Sequence, residues 1–81
     1  MSESKDWLLL GSCGDGDKFT VGGSNVWGRE WISRNEVAVV KDPLYGKELR
    51  FRVYEIRCDG RSIVFAAGEF SNCIWGFFAK K

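Results

Sequence analysis

Residues 49–67, LRFRVYEIRCDGRSIVFAA, have the pattern of two β-strands joined by a tight turn. Apolar and charged side chains alternate from residue 49 to residue 53, which is the period of a half-buried strand. A type I′ turn needs positive φ at both central residues, so Asp59-Gly60 between two strand-like segments is a strong hairpin signal. The pattern therefore predicts an antiparallel hairpin that turns at Asp59-Gly60.

Similar segments lie on both sides of this hairpin. Upstream, residues 36–41 form a strand that ends at a proline-containing turn, residues 42–46. Downstream, Ser71-Asn72 predicts a second tight turn before a last strand at residues 74–79. Shorter strand-like segments occupy the glycine-rich N-terminal half, at residues 7–10 and 19–21. Residues 27–32 favour a further strand, with both tryptophans on one side, over the alternative of a single helical turn. We expect an all-β fold, a small antiparallel meander of six or seven short strands closing into a barrel or a two-layer sandwich.

The turn positions also predict which side chains share a face of the sheet. The expected neighbours are Ile56 with Ile63, Phe51 with Val37, and Ala66 with Phe77. One face is then a core, formed by Val37, Val39, Leu49, Phe51, Val53, Val64, Ala66, Trp75 and Phe77. The other face carries Arg50, Arg52, Tyr54, Ile56, Ile63, Phe65, Ala67, Ile74 and Phe78.

The alternation slips at Tyr54-Glu55-Ile56, where an acidic residue takes a position in phase with the core. Such a slip predicts a β-bulge, or a strand that passes from one layer to another. Either arrangement leaves apolar residues on both faces of the sheet.

Length and composition bound the class of protein. The chain has 81 residues, 44% of them hydrophobic, and a net charge of +1, which fits a single globular domain over residues 1–81 with residues 1–5 disordered. Its longest apolar run, residues 63–67, is far shorter than a membrane span, and no secretory leader is visible. We expect a cytoplasmic protein without membrane contact. The odd number of cysteines predicts free thiols, with a Cys58–Cys73 bridge as the alternative.

The residue types argue against catalysis, metals and cofactors. Histidine is absent, so a nucleophilic serine or cysteine lacks its usual base. No Cys-x-x-Cys pair is present to bind zinc. The glycine-rich loop at residues 11–18 has Asp17 where a phosphate-binding loop needs lysine, and Asp15-Gly16-Asp17 lacks the further acids of a calcium loop. We therefore expect no enzyme activity, no metal and no cofactor.

Aromatic residues make up 15% of the chain, and this high share is the most informative feature of its composition. Either the N-terminal strands cover the second face, or part of it stays exposed as a docking surface. The interface candidates on that face are Arg50, Arg52, Tyr54, Phe65 and Phe78. We expect a non-enzymatic binding module that presents a sheet surface to a protein partner, with homo-oligomers as a further option. The alternative function is single-stranded nucleic-acid binding, in which the arginines contact phosphates and the rings stack on bases.

Overall fold

The computed structural model describes residues 2–41 and 46–81 of the chain. The predicted all-β, mainly antiparallel fold is confirmed. The described residues form eight strands, more than the six or seven expected, and no helix long and apolar enough to cross a membrane occurs among them. The strands are β1 (Ser2–Ser4), β2 (Trp7–Gly14), β3 (Thr20–Val21), β4 (Ser24–Asn25), β5 (Ile32–Lys41), β6 (Glu48–Cys58), β7 (Arg61–Ser71) and β8 (Ile74–Lys80).

Six of these strands form one sheet in the order β1-β5-β6-β7-β8-β2, and β3 pairs with β4 in a separate hairpin. Only β1 runs parallel to its neighbour. The two edge strands follow each other in the chain, separated by Lys5 and Asp6 alone, so the sheet curls until its edges approach at that end. The sequence predicts disorder for residues 1–5, whereas Ser2–Ser4 pairs with β5 through its backbone, which a side-chain pattern does not reveal.

The central hairpin has the predicted register. Ile56 pairs with Ile63, Tyr54 with Phe65, and Val53 with Ala66. Asp59 and Gly60 both have positive φ, 51° and 75°, as a type I′ turn requires. This part of the prediction is confirmed.

The predicted register between β5 and β6 is wrong by one residue. Ala38, not Val37, pairs with Phe51, and Val40 pairs with Leu49. The reason is that Lys41 pairs with Glu48, so the connection has six residues rather than the five expected. A shift of one residue exchanges the faces of all side chains on a strand. The predicted turn at residues 42–46 lies, except for Gly46, outside the described residues.

The predicted register between β7 and β8 is also wrong by one residue. Ala66 pairs with Phe78, and Ala67 pairs with Phe77. Two features cause the shift: a bulge between Glu69 and Ser71, and a turn at Asn72-Cys73 instead of Ser71-Asn72. Phe77 and Phe78 therefore lie on the faces opposite to those predicted.

Both faces of the sheet are covered and carry a core. We call the side of Phe51 the first face and the side of Phe65 the second face. The first core consists of Trp7, Ala38, Phe51, Val53, Ala66 and Phe78. The second core consists of Val21, Val26, Ile56, Phe65, Ala67 and Phe77. Trp7 of edge strand β2 and Ala38 of β5 belong to the same core on the first face, while the segment that contains β3 and β4 covers the second.

Candidate functional site

Four of the five predicted interface residues share the second face, and one does not. Arg50, Arg52 and Tyr54 alternate along β6, and Phe65 pairs with Tyr54 from β7. Phe78 lies on the first face, where its ring stacks on Phe51 with centroids 4.9 Å apart. The shifted register of β8 is the physical reason, and Phe78 is removed from the predicted surface.

Phe65 does not offer a binding face either, because it is fully buried. Trp31 covers it edge-on with a centroid distance of 5.1 Å, and Phe77 lies beside it at 6.1 Å. Of the two arrangements that the sequence left open, the N-terminal half covers this part of the second face. Arg50 and Arg52 remain exposed at its margin, and Tyr54 is half-buried.

A cluster of half-buried aromatic side chains lies where this cover meets the sheet. Its members, here called the tryptophan cluster, are Trp27, Trp31, Tyr54 and Trp75. Trp31 is central, with centroid distances of 5.1 Å to Trp27, 5.2 Å to Tyr54 and 5.8 Å to Trp75. The stacked and edge-to-face arrangements are those that aromatic quadrupoles favour.

Asn25 holds the covering segment in place. Its side-chain oxygen accepts hydrogen bonds from the backbone N–H groups of Phe19 and Trp27, each at 3.3 Å. Val26 N–H donates to the Phe19 carbonyl at 2.9 Å, and the Trp31 indole N–H donates to the Val26 carbonyl at 2.8 Å. These bonds fix both tryptophans of the segment over the sheet. Trp27 Nε1 is also buried, but it has no hydrogen-bond partner within the described residues.

Sequence reasoning missed the three tryptophans of the cluster as site residues. The spacing of Trp27 and Trp31 was an available signal, although the strand expected over residues 27–32 is wrong: residues 27–29 form a turn and bend, and β5 begins only at Ile32. Trp75 gave none, because the predicted register placed it on the first face.

The slip in alternation at Glu55 is explained by an ion cluster on the first face. The Glu55 carboxylate accepts a hydrogen bond from Ser62 Oγ at 2.7 Å and pairs with Arg34 at 3.1 Å and Arg57 at 3.4 Å. The Ser62 hydrogen bond, with further bonds from the two arginines, lowers the pKa of Glu55. The predicted bulge is not in β6. It lies in the neighbouring β5, between Ser33 and Val37.

A second candidate surface lies on β2, at one edge of the large sheet. Leu8, Leu9 and Leu10, here called the leucine edge, are 55%, 54% and 43% exposed. β2 pairs with β8 on one side, and no strand of the described chain pairs with it on the other. Consecutive residues of a strand point to opposite faces, so three apolar residues in a row place leucines on both faces of this edge. The sequence predicts a strand here, but only the strand order reveals that it is an edge.

The described residues contain no group of three or more acidic or cysteine side chains able to hold a metal ion. All three cysteines are unbridged. Cys58 is buried and receives a hydrogen bond from Ser24 Oγ at 3.4 Å, Cys13 is half-buried, and Cys73 is exposed.

Comparisons of the chain with protein-family models, with curated proteins and with solved structures find no match.

Proposed function

We propose that this protein is a non-enzymatic binding module that docks a protein partner along the leucine edge. The observation that carries the proposal is the exposure of Leu8, Leu9 and Leu10 on an edge strand. The occupant is an extended segment of the partner that adds to β2 as a further strand. This site replaces the Arg50, Arg52, Tyr54, Phe65 and Phe78 surface expected from the sequence.

Backbone directions on β2 support strand addition. Lys81 N–H donates to the Asp6 carbonyl at 2.8 Å, so Asp6 directs its carbonyl toward β8. Backbone groups alternate in direction along an antiparallel strand, so Trp7 and Leu9 direct theirs away from β8. An added strand can exchange hydrogen bonds with these residues. The bulge between Leu9 and Gly11 limits regular pairing to the first half of β2.

The leucines supply the apolar contribution to binding. Covering a fully exposed leucine stabilises a complex by roughly 1.5–3 kcal/mol, and about half of each side chain is still available here. Edge strands of native proteins normally carry charges or proline to prevent such pairing. The leucine edge lacks both kinds of protection.

We also propose an architecture for the large sheet and a cellular compartment for the protein. The large sheet is a curled, incompletely closed barrel whose edges β1 and β2 are joined by Lys5 and Asp6, with the β3–β4 segment as a second layer. Three unbridged cysteines fit a reducing compartment, and we place the protein in the cytoplasm.

The test is a pull-down from host lysate with nuclease present. The variant Leu8→Ser/Leu9→Ser should lose most of a captured protein that the wild type retains, while its free energy of unfolding falls by no more than about 3 kcal/mol, because about half of each leucine is already exposed. The matched control is Ile32→Ser/Val64→Ser, which removes two apolar residues of 39% and 38% exposure from interior strands of the sheet. Equal capture by both variants would refute docking at the leucine edge.

A second candidate function is single-stranded nucleic-acid binding at the margin of the tryptophan cluster. The observation in its favour is Arg52, which lies on the side of Tyr54 about 7 Å along β6 and forms no ion pair with any described residue. The rings of the cluster are only partly exposed, and the isoelectric point of about 7.7 is below the value of ~9 that is typical of nucleic-acid binders. These two facts rank it second.

Salt dependence separates the two functions. We expect no micromolar binding of mixed-sequence oligonucleotides at about 150 mM salt. If nucleic acid were the ligand, the logarithm of affinity would fall with the logarithm of salt concentration with a slope near −0.7 per phosphate contacted, and Arg50→Ala/Arg52→Ala would flatten that slope. Lys18→Ala/Arg61→Ala changes the net charge equally and serves as the control. Tight binding abolished only by the first variant would reverse the ranking.

A further inference from the structure

We propose that a groove at the start of β2 binds an acidic segment of the docked partner, in which carboxylates flank an apolar side chain. This inference rests on the proposed function, because it names the chemistry of the same partner. The groove has a volume of about 470 Å³. It is lined by Lys5, Trp7, Val39, Val40, Lys41, Glu48 and Lys81.

The groove exists because β1 is short. β1 pairs with β5 only as far as Ala38, and the chain then crosses through Lys5 and Asp6 to β2. Residues 39–41 of β5 therefore have no strand neighbour on that side within the described chain. The opening lies between this part of β5 and Trp7, which directly precedes the leucine edge in the chain.

Its lining is mixed, with a small apolar part at Val40, and its rim is basic. Trp7 and Val39 are buried, and Val40 is half-buried. Among the described lining residues, three lysines stand against one glutamate, a side-chain charge of +2. Lys5 Nζ pairs with Glu48 at 3.1 Å, whereas Lys41 and Lys81 form no ion pair with any described residue. The hydrogen bond from Lys5 and the charges of the nearby cations lower the pKa of Glu48.

An acidic peptide fits this chemistry better than a nucleic acid does. A single strand of nucleic acid would need an exposed aromatic ring on which its bases could stack. The one aromatic residue among the described lining, Trp7, is only 5% exposed. A peptide needs cations for its carboxylates, a small apolar contact and a free strand edge. The lysines, half-buried Val40 and the unpaired part of β5 provide these.

The experiment measures fluorescence anisotropy with two labelled, amide-capped peptides and the full chain. One peptide has Leu-Val-Leu between two pairs of glutamates, and the other has glutamines in place of the glutamates. We expect the glutamate peptide to bind about tenfold more tightly, and Lys41→Glu/Lys81→Glu to remove that preference. The control Lys18→Glu/Arg61→Glu, which reverses two exposed cations outside the groove, should keep it.

The outcomes separate this inference from the proposed function. Equal binding of both peptides, lost in Leu8→Ser/Leu9→Ser, would overturn the groove and support the leucine edge. Loss of the preference in both charge variants would overturn the groove, because only the net charge would matter. Binding that ignores the leucine variant but depends on Lys41 and Lys81 would support the groove chemistry and overturn docking at the leucine edge. An oligonucleotide that displaces the glutamate peptide at lower concentration would assign the groove to nucleic acid.

Discussion

Replacing Phe77 with alanine should lower the free energy of unfolding by about 3–5 kcal/mol. The Phe77 ring is fully buried in the second core. It stacks on Phe19 with centroids 4.3 Å apart and meets Trp27 edge-on at 5.8 Å. Removing it leaves a cavity between the sheet and the covering segment, so both layers lose packing. Since a small domain has only about 5–15 kcal/mol of stability in total, this is a large fraction.

Urea unfolding followed by tryptophan fluorescence measures the effect. The variant Phe77→Leu keeps most of the side-chain volume, so it should lower the free energy of unfolding clearly less than Phe77→Ala does. In a double-mutant cycle with Phe19→Ala, the two losses should not add, because the rings contact each other. A loss below about 1 kcal/mol for Phe77→Ala would mean that the covering segment does not pack on this face.

Replacing Gly68 with alanine should lower the free energy of unfolding by about 1–3 kcal/mol. Gly68 lies in the middle of β7, where an added methyl group would overlap the ring of Phe51, with Cε1 only 2.9 Å away. That ring cannot move freely because it stacks on Phe78 in the first core. The glycine is therefore required by close packing of the ring, and not by its backbone angles.

A second background tests this explanation. In a protein that already carries Phe51→Leu, Gly68→Ala should lower the free energy of unfolding much less than it does in the wild type, because the obstructing ring is gone. The cycle is measured by the same urea unfolding. Equal costs in both backgrounds would contradict the close packing of Phe51 over Gly68.

Local signals in the sequence predicted the middle of the fold, and non-local features caused the errors. Asp59-Gly60 specifies both its turn type and its register, so the β6–β7 pairing was correct. The β5–β6 connection has no comparable two-residue signal, and its length was underestimated by one residue. At β7–β8, Cys73 adopts a positive φ of 60°. A cysteine in the sequence does not predict a positive φ, because few residues other than glycine and asparagine adopt that conformation readily.

The site was harder to predict than the fold because it depends on which strand is last in the sheet. Residues 7–10 read as a strand in the sequence, but alternation says nothing about its neighbours. The exposure of the leucines follows from the sheet order, which places β2 beyond β8. Likewise, the burial of Phe65 depends on a covering segment that is about 35 residues away in the chain. By contrast, the exposed arginines of β6 were predicted from simple alternation.

Site-specific photocrosslinking tests docking at the leucine edge most directly. A photoreactive amino acid replaces Leu9 in one variant and Val64 in another, and nuclease-treated crosslinks formed in host cells are compared. We predict a discrete protein crosslink from position 9 that is absent from position 64 and is lost when Leu8→Ser is added. A crosslink to nucleic acid, or the same protein crosslinked equally from both positions, would contradict a protein-docking edge at β2.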